Sequence, residues 1–157
     1  YDDTIHQGVA FRWQDLSMKM QDLLHRDIDG VKDTKGQLRA EFLRGQRDRE
    51  GVDFRKRNHV LGDLINSDPI FVGAPAFPNE LGSGYAAFRT TYQNRLHMLY
   101  VGANDGMLHG FSAKDGKEHL AYIPRAVFDG LSQLTHPGYR RRAGRFRSRR
   151  DRPGQFR

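Results

Sequence analysis

The 157-residue chain has no cysteine, which excludes a disulfide framework and any thiolate metal site. It also lacks an apolar run approaching the roughly 18 residues that a membrane-crossing helix needs, and no charged-then-apolar leader opens it. A chain that begins at Tyr1 without an initiator Met is expected to be a piece of a longer one. Tryptophan is nearly missing, Trp13 being the only one. Excess positive charge is missing too, from most of the chain. The formal net charge is +7, yet nine of the 26 Lys and Arg lie between Arg140 and Arg157 beside one acid, Asp151; the other 17 bases face 18 acids, so residues 1–139 stand at −1. With a near-neutral body, the high net charge says nothing about a basic binding face there, and no nucleic-acid partner is expected. The Arg-rich tail could release counterions from a phosphate backbone, but its composition is that of a disordered segment.

The first third of the chain reads as helical. Trp13, Leu16, Met20, Leu23 and Leu24 recur at intervals that place them on one helical face. Gly30 among Asp27, Asp29 and Asp33 interrupts, and Gln37 to Arg44 forms a second short helix, with Leu38 and Phe42 one turn apart and Gly45 as its C-terminal stop.

From Asp68 the pattern becomes extended. Pro69 to Gly73 is a short apolar strand with proline at its start, where a strand tolerates it. Ala74 to Asn94, rich in Gly, Pro, Ser and Asn, reads as a long loop. Leu96 to Gly102 is apolar at nearly every position, as expected of a strand buried on both faces. Asn104-Asp105-Gly106 is a turn, Met107 to Ser112 a third strand, Lys114 to Lys117 a second Asp-Gly turn, and Glu118 to Ile123 a fourth strand closed by Pro124. Arg125 to Leu134 returns to helix, with Val127, Phe128, Leu131 and Leu134 on one side. Four strands, the last three joined by tight turns, make an up-and-down antiparallel meander. Such a small sheet cannot cover both its faces alone, a condition that the stacked blades of a β-propeller meet. A blade runs to roughly 40–50 residues, which 68–123 fits once its first loop is allowed for. The fold class expected is mainly β: a partial propeller of one recognisable four-stranded blade, with a short helical lead-in.

Two segments resemble a known family. Val60-Leu61-Gly62-Asp63-Leu64-Ile65-Asn66-Ser67-Asp68-Pro69-Ile70-Phe71-Val72-Gly73 is similar to the LGDIVNSxPxxVG signature of the PilC/PilY propeller. Tyr100 to Phe111, reading YVGANDGMLHGF, is similar to its YVGANDGMLHAF segment, with Gly110 in place of Ala as a change of little consequence. Gly116-Lys117-Glu118 and Ala121-Tyr122-Ile123-Pro124 resemble the GxE and AYIP that follow. Phe42 to Gly45 and Phe54 to Arg57 resemble the YLRG and FRxR lead-in. On this resemblance the chain divides into a helical and loop lead-in over 1–59, a partial PilC-type propeller over 60–139 containing the blade 68–123, and the Arg-rich tail over 140–157.

The resemblance implies a non-catalytic module of a large exported protein of the type IV pilus. That protein would be located at the cell surface, pilus-associated or in the outer membrane. Its implied roles are pilus biogenesis, twitching motility and attachment to host or abiotic surfaces, with pilus components as partners. It also implies a calcium loop in the complete propeller, for which no segment here is a match. The alternative is a fragment of a quinoprotein dehydrogenase propeller, which binds pyrroloquinoline quinone and calcium. Those blades carry Trp in the strand after Gly-Lys, where this chain has Tyr122.

No catalytic, cofactor-binding or metal-ligating residue is expected in the chain. Asp27, Asp29 and Asp33 alternate loosely like calcium ligands, but the bidentate Glu that such a loop requires about a dozen residues on is replaced by Leu38. Asp105 and Asp115 are explained as turn residues. The histidines are scattered, without His-x-x-x-His spacing or a paired carboxylate, so His97 and His109 read as strand residues. No Gly-x-Ser-x-Gly elbow or phosphate-binding loop occurs.

Beyond Tyr139 the family pattern gives way to Arg140-Arg141-Arg142-Ala143-Gly144-Arg145. Shifted codons of GC-rich DNA favour Arg, Gly, Ala and Pro, so residues from about 140 are expected to be out-of-frame translation. Resequencing the gene across this junction should reveal a frameshift; an intact frame that encodes the Arg run would refute the expectation.

Overall fold

The computed structural model describes residues 8–65, 67–76 and 83–139. The Arg-rich tail lies outside the described residues. Contacts divide the described residues into two compact units, one within 8–10 and 58–128, the other within 11–57 and 129–139. Residues 129–139 therefore cluster with the lead-in.

The blade unit holds one four-stranded antiparallel sheet in the order β1-β2-β3-β4, with β1 at Ile70–Val72, β2 at Met98–Gly102, β3 at Leu108–Ser112 and β4 at Glu118–Tyr122. Each strand pairs with the next in sequence, giving the expected meander. Gly106 and Gly116 sit at φ 86° and 71° in the two tight turns, a conformation that side chains with a Cβ resist. The turn hydrogen bonds run from Gly106 N–H to Ala103 O and from Ser112 N–H to Lys117 O. Pairing is regular except at Gly110/Phe111, where the partner jumps from Leu120 to Glu118 and leaves His119 as a bulge.

Burial on both faces, expected for 96–102, is observed only in part, at Met98 on one face and Val101 on the other. Met98 and Val101 are buried, but Leu99 is 37% and Leu96 47% exposed. Among the described residues there is one sheet, so no second blade lies against it. Ile70, Leu108, Leu120 and Tyr122, which share one face by register, are exposed for the same reason. The exchange at Gly110 also carries more consequence than the strand pattern implies. A Cβ there would lie 2.9 Å from the Tyr100 ring and 3.1 Å from Leu120, so an alanine requires the ring to move.

The expectation of a loop over 74–94 is corrected by a helix, α3, at Ser83–Tyr92. Residues 77–82 lie outside the described residues. Tyr85, Phe88 and Tyr92 recur at i, i+3 and i+7 along α3, with ring centroids 5.9 and 4.7 Å apart, the spacing of one helix face. Thr90 and Thr91 donate their hydroxyls to the carbonyls of Ala86 and Ala87 one turn back. Those bonds accommodate two residues that otherwise disfavour helix.

The second unit contains α1 at Met18–Leu24 and α2 at Gly36–Leu43. The single helix expected over Trp13–Leu24 is broken: Trp13–Asp15 is a 3₁₀ turn, and Ser17 is extended at φ −61°, ψ 156° in the N-cap position of α1, a place that serine favours. Helix α2 ends as expected at Gly45, with Gly45 N–H on Phe42 O and Gln46 N–H on Glu41 O, the paired bonds of a Schellman ending. Leu16, Met20, Leu24, Ala40, Phe42, Leu43 and Phe54 are buried, and the Phe42 and Phe54 rings pack at 5.1 Å. A 3₁₀ segment spans Arg125–Thr135. Its buried Phe128, Leu131 and Leu134 recur every third residue, the period of a 3₁₀ rather than an α-helix.

Arg57, the last residue of the FRxR lead-in, ties this unit together. Its guanidinium donates to Phe42 O at 2.9 Å, Gln46 O at 2.7 Å and Glu50 Oε1 at 2.7 Å, and it stacks 3.6 Å from the Phe42 ring centroid. Burial pushes the Glu50 carboxyl up, but the Arg57 backbone N–H, its guanidinium and Arg47 outweigh this and lower the pKa to about 2. Both side chains of the pair are buried. Removing one partner of a buried ion pair leaves the other charge uncompensated and costs about 3–5 kcal/mol. Arg57→Met is therefore expected to destabilise this unit by that amount in urea unfolding followed by Trp13 fluorescence. Because the Glu50 pKa is depressed, its stabilising contribution is full above the unfolded value of about 4.3 and fades as pH falls toward about 2.

Candidate functional site

The two signature segments meet in one place. Asp105, the central residue of the Asn-Asp-Gly turn, directs its carboxylate back along the chain. Its Oδ2 accepts the Gly62 N–H at 2.7 Å, and its Oδ1 accepts the Met107 N–H at 3.0 Å. The neighbouring Asn104 N–H donates to Asp63 O at 3.1 Å. Further along the same two segments, Gly102 N–H donates to Ser67 Oγ at 2.9 Å, and Ile70 to Val72 pair with Tyr100 to Met98. The close approach explains the glycine at 62: a Cβ there would collide with the Asp105 backbone nitrogen and lie 3.0 Å from its side chain.

His109 completes the cluster. It is 5% exposed, and its Nε2 lies 3.1 Å from Asp105 Oδ2 while its Nδ1 lies 2.5 Å from Glu118 Oε1. A ring nitrogen facing a carboxylate on each side fits the imidazolium, in which both nitrogens donate. The Asp105 hydrogen bond raises the His109 pKa; burial opposes this, and Glu118 adds to the rise. For Asp105, burial acts upward, but the His109 hydrogen bond and then the Gly62 N–H prevail and lower its pKa. Phe111 stacks on the His109 ring with centroids 5.8 Å apart.

This arrangement corrects two sequence expectations. Asp105 is more than a turn residue, because its carboxylate joins Gly62, Met107 and His109. His109 does have a paired-carboxylate setting. Asp105 lies four residues before it, a visible spacing, but Glu118 reaches its face of the sheet only through the bulge at His119. A regular register would put Glu118 on the opposite face, since side chains alternate with period two. His97, by contrast, packs edge-on against Phe71 at 5.6 Å.

The other candidate groups have structural partners. Asp27 Oδ1 accepts the N–H groups of Asp29 and Val31, and Asp33 binds the Arg39 guanidinium through both oxygens at 2.7 and 2.6 Å. Among the described residues no group of three or more His, Cys, Asp or Glu is placed to hold a metal ion, and no helix is long and apolar enough to cross a membrane. Asp115 Oδ1 accepts the Lys117 N–H within its own turn. Trp13 packs edge-on against His25 at 5.0 Å, and His25 Nδ1 accepts the Gly36 N–H. A separate cavity of about 440 Å³ is lined by Phe71, Pro75, Tyr85, Phe88, Arg95 and His97.

Loss of the Asp105 carboxylate strands several donors at once. Each buried donor left unpaired costs about 1–3 kcal/mol, so Asp105→Ala should destabilise the blade by at least about 2 kcal/mol in urea unfolding followed by circular dichroism. Gly62→Ala should cost about 1–3 kcal/mol through overpacking. Wild-type midpoints for both variants would contradict this account of the two segments.

The family model described as the PilY1 beta-propeller domain matches residues 61–150. Its matched range extends into the Arg-rich stretch. The chain is 48% identical over 145 residues to the type IV pilus biogenesis factor PilY1 of Pseudomonas aeruginosa strain PAK, covering 87% of this chain and 12% of that protein. It is 41% identical over 138 residues to the factor of the same name from strain UCBPP-PA14, covering 82% of this chain and 12% of that protein. A PilY1 homolog of Xylella fastidiosa is 45% identical over 107 residues, or 62% of this chain and 9% of that protein. The chain thus spans about an eighth of the length of the P. aeruginosa relatives it matches. No solved structure gives a significant match. With its two signature segments folded against each other in a single blade, the chain belongs to the PilY1 β-propeller family, as a partial propeller.

Proposed function

We propose that the chain is a non-catalytic propeller module of a type IV pilus assembly and adhesion protein. In this reading the full-length protein supports pilus biogenesis, twitching motility and surface attachment, from a position on the pilus or the outer membrane. The observation that carries the reading is the use made of the signature residues. Gly62, Ser67, Gly102, Asp105 and His109 are bonded to one another or to the blade, so the most recognisable part of the chain is scaffold. In a scaffold of stacked sheets, partner contacts fall to the connecting segments, which vary without disturbing the core. The connection over 74–94 is the one to expect here, since α3 leaves Phe88 and Tyr92 exposed at 42% and 45%. Calcium, implied for the complete propeller, would be held by residues outside this chain.

Deleting the full-length gene should abolish surface pili and twitching, and a plasmid copy should restore both. Normal piliation and motility in the deletion strain would overturn the proposal.

A further inference from the structure

The His109 cluster has a consequence beyond holding the signature segments together. The charged groups facing the ring are Asp105 from the β2–β3 turn and Glu118 from β4. They are held differently. Asp105 is fixed by two backbone N–H groups and its side chain is 14% exposed. Glu118 is 46% exposed and stands at the first residue of an edge strand, beside the bulge that brings it round.

We infer that His109 is a pH-sensitive latch that holds the edge strand β4 to β3 while protonated and releases Glu118 when the proton is lost. A neutral imidazole has one N–H and one lone pair. Asp105 cannot withdraw without stranding the Gly62 and Met107 amides, so the remaining N–H stays on Nε2. The Nδ1 lone pair then faces the Glu118 carboxylate at a distance that only a hydrogen bond allows. Repulsion is relieved by the group with access to water, which is Glu118, and the start of β4 loses the tie that fixes its bulge. Because the His109 pKa is raised in the folded state, the latch contributes fully below the unfolded value of about 6.5 and is lost as pH climbs through the raised value. The turn end of the blade keeps its Gly62–Asp105 contact throughout. β4, solvent-exposed along its whole length, is the part of the sheet that would loosen.

Hydrogen exchange of the full-length protein, read by mass spectrometry and corrected for intrinsic rates, tests this. Between about pH 6 and about pH 9, protection of peptides covering 113–124 should fall on the order of tenfold, the worth of one charge-assisted hydrogen bond. Peptides covering 60–65 should keep theirs. Glu118→Gln should remove the step, because an amide accepts from the imidazolium and donates to the neutral ring. Unchanged protection elsewhere in that variant would report an intact fold. A wild-type β4 that shows no step, or a Glu118→Gln protein that shows the same step, would overturn the latch.

Discussion

A carboxylate buried away from water keeps its charge only where donors converge on it, and the donors that converge on Asp105 come from three places in the chain. Gly62 belongs to the segment before the first strand, Met107 closes the turn, and His109 lies in β3. The remaining features of the blade follow from that convergence. Gly62 must lack a side chain for the approach to occur. Asn104 is brought to Asp63 O, and Ser67 to Gly102. β1, only three residues long, enters the sheet in register with β2 because the chain before it is already anchored. A strand so short has few ladder bonds of its own, and the side-chain contacts upstream supply what the ladder lacks.

Charge set against backbone also organises the lead-in. Arg57 binds Phe42 O in the last turn of α2 and Gln46 O just beyond the helix, and Arg39 reaches Leu24 O at the end of α1 while holding Asp33. The last carbonyls of a helix have no partners within it, and a guanidinium can satisfy several in one plane. Short helices of seven and eight residues would be marginal in isolation; here buried arginines close their ends. The basic residues of the body are thus largely spent within it, as expected for a segment whose acids and bases nearly balance.

How much was legible in the sequence depended on the range of the signal. The strands β2, β3 and β4 and their turns were readable because Asn104-Asp105-Gly106 and Asp115-Gly116 fix tight connections between neighbours. The Gly45 helix end was readable for a similar local reason. Helix α3 was not, because Ser83, Gly84, Thr90 and Thr91 have poor helix propensity and obscured the spacing of Tyr85, Phe88 and Tyr92. The break at Ser17 was hidden in the opposite way, by apolar residues that kept a helical period across it. The contact of Gly62 with Asp105 joins residues 43 positions apart, which no local pattern reveals. Glu118 reaches His109 only through a bulge, which strand periodicity does not reveal. The resemblance to the family marked Gly62, Asp105 and His109 as parts of motifs without saying that they touch.

Type IV pilus factors of this family are long proteins of which the chain is a small part, and the central claim concerns how that part is built. An experimental structure of the full-length protein at side-chain resolution tests it most directly. The account predicts the Asp105 carboxylate on the Gly62 N–H, with the His109 ring between Asp105 and Glu118 in one four-stranded blade. Residues 60–67 lying elsewhere, with Asp105 turned to solvent, would contradict it.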